Sequence, residues 1–358
     1  MPLPLARPLL DVLGASWRVG VPVVATAWDG RGGFAGFALG DGSLALAPAA
    51  WDNGPTLRPR EGGGVELVPG AVAPPVARVP VHQGACLSVA ADPDGGFLSS
   101  GADGQVARVQ SDGEIRVIAQ SDGPVAMIAA GPGAWRACAS GRTVHRVGMS
   151  ASSIDVETAV TSLALDPCGA RLAISHEGGV TLWAGGNGQR LLAGLGAPSG
   201  LTWSADGAWL ACAAGDALHA WRLLNPAAVT VAVSGPAGSL TTAGSAFAAG
   251  VGGRVILWRP ASPDTVLQLC GVPNQATITH VGCHPRKDVI AAGYANGPVV
   301  LCQPNSAALM FLRVSGEGAV SALGFSPAGD YLAIGTEGGE IAVLALPDVL
   351  FRESPRSK

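Results

Sequence analysis

The sequence predicts an all-β protein in which eight four-stranded blades form a single β-propeller, and three observations support this prediction. First, the stretch 319–346, AVSALGFSPAGDYLAIGTEGGEIAVLAL, contains three short apolar runs separated by Pro- and Gly-containing turns, a pattern typical of hairpin-linked strands. Second, the chain repeats this unit with a period of about 40 residues, which indicates a propeller blade. Third, the 52 Gly and 27 Pro residues accompany 48% hydrophobic residues, so the composition favours many short strands over disorder.

Eight cores of this unit follow one another along the chain. They occupy residues 23–48, 86–109, 125–147, 160–183, 200–221, 239–258, 278–302 and 319–346. The turn between the second and third strands falls at residues 42, 104, 142, 178, 216, 253, 297 and 339, so successive turns are 62, 38, 36, 38, 37, 44 and 42 residues apart. The third core is weak and the sixth is short, which leaves a seven-bladed ring as the alternative.

The N-terminal stretch 8–19 is available as the fourth strand of the last blade. The stretch lies before the first core, and the eighth core ends at residue 346 without a fourth strand of its own. A ring closed in this way has no open sheet edge, which explains how so apolar a chain avoids aggregation. We therefore expect one propeller domain over residues 1–350 and a short disordered tail at 351–358.

The 62-residue spacing indicates an insertion after the first core. One strand must come from it, either Val65 to Val68 or Val76 to Val81, and the surplus is expected to form a surface loop at about 51–75. Trp51, Arg58 and Arg60 in this loop are candidate partner-binding residues, since Trp and Arg are enriched at interaction hot spots. The alternative is an insertion that is merely tolerated.

Composition and motifs argue against several classes of function. The net charge is −4, so no global field attracts nucleic acid, and no apolar run approaches the roughly 18 residues of a membrane span. No G-x-S-x-G, H-E-x-x-H or C-x-x-C motif is present. The seven cysteines are mostly flanked by strand-like residues and fit buried thiols in a reducing cytoplasm. We expect no cofactor.

The best metal-like cluster is the segment 279–284, THVGCH, because zinc takes His and Cys ligands. The segment aligns with a first strand, so His280 and His284 would lie roughly 13 Å apart on one face, with Cys283 on the other. This spacing favours a core cysteine and a turn histidine over a zinc site. A metal shared with His82 of another blade remains the alternative.

The pattern V-x-x-L-x-F-S-P-x-G, followed by L-A-x-G and D-G-x-V-x-L-W, resembles that of the WD-repeat family over most of the chain. Trp183, Trp221 and Trp258 match the third-strand tryptophan of that family. His82 matches its histidine before the first strand, and Asp41 and Asp103 match its turn aspartate. The chain departs from the family because no aspartate follows these tryptophans. In addition, Gly215, Gly252 or Asn296 replaces the turn aspartate elsewhere, so the Asp-His-Ser-Trp tetrad is incomplete in every blade. The nearest resemblance is to bacterial members of alphaproteobacterial type.

The resemblance implies a cytoplasmic, monomeric, non-enzymatic scaffold whose partner is another protein rather than nucleic acid or a membrane. The alternative is a zinc-linked or catalytic propeller, with side chains from different blades meeting at the central channel. The metal candidates under that alternative are His82, His280, Cys283 and His284.

Overall fold

The computed structural model describes residues 7–60, 65–132, 135–148, 152–184, 188–193, 195, 198–223, 225–262, 267–272, 276–304, 309–314 and 316–351. These residues form eight four-stranded antiparallel sheets and a separate two-stranded hairpin. The first strand of each sheet contacts the first strand of the next, and the last sheet contacts the first in the same way. The sheets are therefore the blades of a closed propeller, which confirms the prediction of eight blades.

We number the blades 1 to 8 in the chain order of their first strands. In each blade the first strand is innermost and the fourth is outermost. The strands of blades 1 to 4 are Val23–Trp28, Phe34–Leu39, Ser43–Pro48 and Ala77–Pro80; Cys86–Ala91, Phe97–Gly101, Gln105–Val109 and Ile115–Gln120; Met127–Ala130, Arg136–Ser140, Thr143–Val147 and Ser152–Asp155; Val160–Leu165, Leu172–His176, Gly179–Trp183 and Gln189–Ala193. Those of blades 5 to 8 are Pro198–Trp203, Trp209–Ala214, Ala217–Arg222 and Asn225–Ala232; Ala237–Ala243, Ala246–Val251, Arg254–Trp258 and Gln268–Cys270; Ile278–Cys283, Ile290–Tyr294, Val299–Cys302 and Leu309–Arg313; Val320–Phe325, Tyr331–Thr336, Glu340–Ala345 and Gly14–Arg18.

Helical structure in the described residues consists of a short α-helix, Leu10–Leu13, and a 3₁₀ turn, Asp348–Phe351. None of the described helices has the length and apolar character needed to cross a membrane.

The turns between first and second strands follow from their Pro and Gly residues. Gly95 has a φ of 103° and its N–H donates to the Asp92 carbonyl at 2.9 Å. Gly329 has a φ of 82° and its N–H donates to the Ser326 carbonyl at 2.8 Å. A side chain at either position would strain the backbone, which explains why glycine ends these motifs.

The ring is closed by the N-terminal strand Gly14–Arg18, as predicted. This closing strand pairs antiparallel with the third strand of blade 8, from Gly14 opposite Leu344 to Arg18 opposite Glu340. The preceding helix buries Leu10 and Leu13 in an apolar cluster with residues of blades 7 and 8. Both ends of the chain are therefore needed to complete one blade.

The core lies between the blades rather than inside any one of them. One cluster, for example, joins Ala211 and Leu218 of blade 5 to Phe247 and Trp258 of blade 6. Trp183, Trp221 and Trp258 are at most 1% exposed, in agreement with their recurrence at one repeat position. Because each apolar face is covered by its neighbour, no blade buries its core alone.

Neighbouring blades are also joined by side-chain hydrogen bonds near the start of their first strands. In blades 1, 2 and 4 to 8, a β-bulge places one extra residue at the second position of this strand. Where that residue is Ser or Thr, its hydroxyl donates to the backbone carbonyl of the first residue in the next blade. These bonds run from Thr161 to Pro198 at 3.0 Å, Ser199 to Ala237 at 3.0 Å, Thr279 to Val320 at 2.6 Å and Ser321 to Val23 at 2.6 Å.

Gly238 occupies the bulged position of blade 6 and lacks the hydroxyl. A Cβ on Gly238 would lie 3.4 Å from the Ile278 carbonyl oxygen, which is ordinary contact. We expect Gly238→Ser to form the missing bond and to raise the free energy of unfolding by about 0.5–1.5 kcal/mol beyond the effect of Gly238→Ala. The alanine variant is the control, because it measures the loss of glycine's backbone freedom alone. Equal urea midpoints for the two variants would contradict the expected bond.

Candidate functional site: a tryptophan-lined groove at the ring closure

The insertion in blade 1 is partly regular. The fourth strand of the blade, Ala77–Pro80, lies within the second of the two stretches considered above. Val65–Val68 instead pairs with Thr56–Pro59 as a separate hairpin. The surplus residues were expected to form a surface loop, and the structure shows that they include this hairpin. In this hairpin Thr56 lies opposite Val68 and Pro59 lies opposite Val65.

Between the hairpin and the fourth strand lies the segment 69–76, PGAVAPPV, which we call the strap. It crosses the outside of the ring closure without pairing in any sheet. The indole N–H of Trp51 donates to the Ala71 carbonyl at 2.9 Å, and that of Trp17, in the closing strand, donates to the Pro74 carbonyl at 2.9 Å. Two tryptophans far apart in the sequence therefore hold the strap by its backbone.

An open groove of about 490 Å³ runs between the strap and the N-terminal segment, and Trp17 and Trp51 both line it. Val72 of the strap also lines the groove and is 95% exposed. A second cavity of about 200 Å³ lies on the Leu13 and Tyr331 side of Trp51. The groove therefore places the aromatic surface of two tryptophans beside an exposed apolar side chain.

The three predicted partner-binding residues do not share this groove. Trp51 lines it, whereas Arg58 and Arg60 are exposed residues of the hairpin region that do not line it. Arg58 lies opposite Glu66 in the hairpin register. Sequence reasoning did not select Trp17, because nothing in the local pattern of the closing strand indicates that its indole reaches residues 57 positions away.

His82 takes part in a hydrogen-bonded chain inside blade 2. Its Nδ1 lies 3.0 Å from Asp103 Oδ1 and its Nε2 lies 2.9 Å from Ser99 Oγ. Cys86 Sγ lies 3.0 Å from the same hydroxyl. Three members of the tetrad are thus present, and Val109 stands where blades 4, 5 and 6 have tryptophan.

A serine, a histidine and an aspartate in this order form the hydrogen-bond pattern of a nucleophilic triad. Here, however, Ser99 is 0% exposed, so no substrate reaches its hydroxyl. Burial raises the pKa of the Cys86 thiol to about 11, which keeps the thiol protonated. The arrangement therefore holds the turn at Asp103 in place and offers no accessible nucleophile.

Burial lowers the pKa of five described histidines below its ordinary value near 6.5; they are His82, His176, His219, His280 and His284. As the pH falls below about 6.5, the unfolded chain therefore binds protons more readily than the folded chain. The folded state loses stability over the pH range from about 6.5 down to the lowered histidine pKa values. Carboxyl groups with lowered pKa values, such as Asp103, reduce stability only when the pH falls below the ordinary aspartate pKa range. We expect a lower Tm at about pH 5.5 than at about pH 7.5. A Tm that is equal or higher at the acidic pH would contradict this expectation.

The other metal candidates have separate partners. His280 Nδ1 lies 3.1 Å from the Val320 carbonyl, and His284 Nδ1 accepts from the Arg286 and Lys287 N–H groups at 3.0 and 3.1 Å. Burial raises the pKa of the Cys283 thiol to about 12. Within the described ranges, no three His, Cys, Asp or Glu side chains come together as a metal site. The zinc alternative therefore has no ligand set in this part of the chain.

A groove of about 670 Å³ lies where the turns of blades 1, 2 and 3 meet, and two of its acidic residues, Asp92 and Asp94, face arginines. Asp92, whose side chain is 0% exposed, pairs with Arg108 and accepts a bond from Arg136 Nε at 3.2 Å. Asp94 pairs with Arg136 at 2.6 Å. Both carboxylates are thus neutralised by arginine, which fits a structural tie between blades 2 and 3 rather than general acid–base chemistry.

Comparisons with known proteins agree with this architecture. Residues 73–107 match the family profile "WD domain, G-beta repeat". No curated protein sequence matches the chain.

Among solved structures, Sqt1 of Saccharomyces cerevisiae is similar, with a TM-score of 0.74 and 12% identity over 93% of this chain and 98% of that one. Sqt1 of Chaetomium thermophilum, bound to the N-terminus of the ribosomal protein L10, has a TM-score of 0.70 and 14% identity over 93% and 99%. The computationally designed Ika8 protein has a TM-score of 0.70 and 15% identity over 92% and 98%. At these identities the likeness shows the fold alone, and the match at residues 73–107 identifies one WD repeat within it.

Proposed function

We propose that this protein is a non-enzymatic WD-repeat scaffold that binds a partner protein through the groove lined by Trp17 and Trp51. The observation that carries the proposal is the groove itself, in which two tryptophans stand beside the 95% exposed Val72 at the ring closure. Tryptophan provides large contact area at low conformational cost, and an apolar side chain this exposed gains free energy when a partner covers it.

Two further observations support a scaffold over an enzyme. The Ser99, His82 and Asp103 chain is closed to substrate, and Asp92 and Asp94, which line the groove of about 670 Å³, are paired with arginines. The similar fold of the Sqt1 bound to the N-terminus of L10 supports the general proposal that a propeller of this kind holds a partner's chain segment.

The proposal is tested by photo-crosslinking. A photoreactive amino acid replaces Val72 in the groove or, as a matched control, Val117, which is 50% exposed on the outer strand of blade 2. We expect a defined adduct in native lysate from position 72 and none from position 117. The adduct should disappear when Trp51→Ala is added, provided that the variant keeps its Tm. Equal labelling at both positions would refute a specific groove partner.

A further inference from the structure

We infer that the groove accepts a proline-rich segment of the partner in the polyproline II conformation, and that the strap 69–76 is an internal occupant of the same chemistry. The inference rests on the proposed function, because it names the kind of chain that the groove binds. It is drawn from the composition and burial of the strap and from the spacing of its hydrogen bonds.

The composition of the strap favours polyproline II. Pro69, Pro74 and Pro75 fix their own φ angles and restrict the residues that precede them to extended conformations. Residues 71–76 have no regular secondary structure. Ala73 and Val76 are partly buried while the residues between them are exposed, and this repeat of three matches the three residues per turn of polyproline II.

The hydrogen bonds have the same repeat. Trp51 and Trp17 donate to the carbonyls of Ala71 and Pro74, which are also three residues apart. One turn of polyproline II advances about 9 Å and returns a carbonyl to the same side. The two indoles are therefore spaced to bind one side of such a helix, as in other aromatic-lined grooves that bind proline-rich chains.

Both contacts are made to backbone carbonyls, which any segment in this conformation presents. No strap side chain is selected by a polar contact from Trp17 or Trp51. A partner segment with the same backbone geometry can thus satisfy both indoles. The strap is also tied by its Ala71 N–H, which donates to the Asn53 carbonyl at 2.6 Å, while Val72, Pro74 and Pro75 stay exposed.

The strap competes with a partner because it is tethered next to the groove. A short tether gives an effective concentration in the millimolar range, so a free peptide of equal intrinsic affinity is outcompeted by the strap. Weak binding to the intact protein and stronger binding after removal of the strap are therefore expected. The strap would then limit the groove to partners that bind more tightly than it does.

The test replaces residues 69–76 by eight Gly and Ser residues in the full chain. The labelled probe is a peptide of residues 67–78, LVPGAVAPPVAR, and the control peptide, LVGGAVAGGVAR, replaces its three prolines by glycine. Fluorescence anisotropy should show binding to the replaced variant at least about tenfold tighter than to the native chain. The glycine peptide should bind at least about tenfold more weakly than the proline peptide, because it must lose more conformational entropy.

Trp51→Phe in the strap-replaced variant keeps an aromatic ring and removes the N–H donor, so it should weaken binding of the proline peptide. Absence of saturable binding to the folded variant up to about 1 mM would overturn the inference, given the millimolar competition expected from the strap. Equal binding of the two peptides, or dimers of the variant at the same concentration, would assign the groove to another occupant and also overturn it.

If the strap-replaced variant does not fold, limited proteolysis of the native chain provides the second measurement. Excess proline peptide should displace the strap and increase cleavage within residues 69–76, whereas the glycine peptide should not. Unchanged cleavage would overturn the inference. A displaced strap stays tethered beside the groove, so residue 72 can still crosslink to a bound partner. A scaffold with a different partner chemistry would therefore retain its adduct at position 72 while failing both tests here.

Discussion

Removal of residues 1–20 is expected to cause the largest loss of stability of any change considered for this chain. The deletion takes away the closing strand Gly14–Arg18 and leaves the third strand of blade 8 with an unpaired edge. It also removes Leu10 and Leu13, which are 7% and 1% exposed in the cluster that joins blades 7 and 8. Truncating one buried leucine costs about 2–5 kcal/mol, and whole domains are stable by only about 5–15 kcal/mol.

We therefore expect the truncated protein to aggregate or to melt more than about 10 °C below the full chain. A synthetic peptide of residues 8–20 added in trans is the control, because it can pair with the exposed edge and restore part of the Tm. The deletion also removes Trp17 and frees one end of the strap. An unchanged Tm after truncation would refute closure by the N-terminal strand.

Asp92→Ala is expected to have the second largest effect. The Asp92 side chain is 0% exposed and is paired with Arg108 and Arg136, whose side chains are 21% and 10% exposed. Removing one partner of a buried ion pair leaves the other charge desolvated, which costs about 3–5 kcal/mol. The urea midpoint should fall accordingly, and so should the Tm.

Asp94→Ala is the matched control, because Asp94 pairs with the same Arg136 but its side chain is 53% exposed. Water replaces an exposed carboxylate, so we expect a much smaller loss of stability than for Asp92→Ala. The triple variant Asp92→Leu with Arg108→Met and Arg136→Met should recover much of the lost stability, since apolar residues of similar volume often replace a buried ionic triad at little cost. Equal losses of stability from Asp92→Ala and Asp94→Ala would show that removal of Asp92 does not leave a buried arginine charge without a partner.

Much of the ring was predictable because short stretches of sequence determine its turns and strands. Turns such as 92–95 and 326–329 require Pro and Gly for reasons of backbone geometry, and apolar runs between them require burial. Repetition of these short patterns then predicts the number of blades. The position of residues 8–19 before the first core predicts the closing strand, since the last core lacks a fourth strand. The shared repeat position of Trp183, Trp221 and Trp258 likewise predicts that all three are core residues.

The candidate site was predictable only in part. Trp51 was selected from its place in the insertion, but Trp17 was not, and Arg58 and Arg60 do not line the groove. Of the hydrogen-bonded residues Asp103, His82 and Ser99, the sequence predicted the first two. Its third member, Ser99, lies in the second strand of blade 2 as an ordinary small residue, and no sequence motif distinguishes it from its neighbour Ser100.

Sequence by itself determined the blade unit, its eightfold repetition and the strand that closes the ring. These features depend on backbone preferences and apolar periodicity over a few residues, which are written locally in the chain. Tertiary structure alone decided that Trp17 and Trp51 hold the strap and that Asp92 is tied to Arg108 and Arg136. These contacts join residues from 16 to 57 positions apart, and they depend on strand register and on the angle at which neighbouring blades meet.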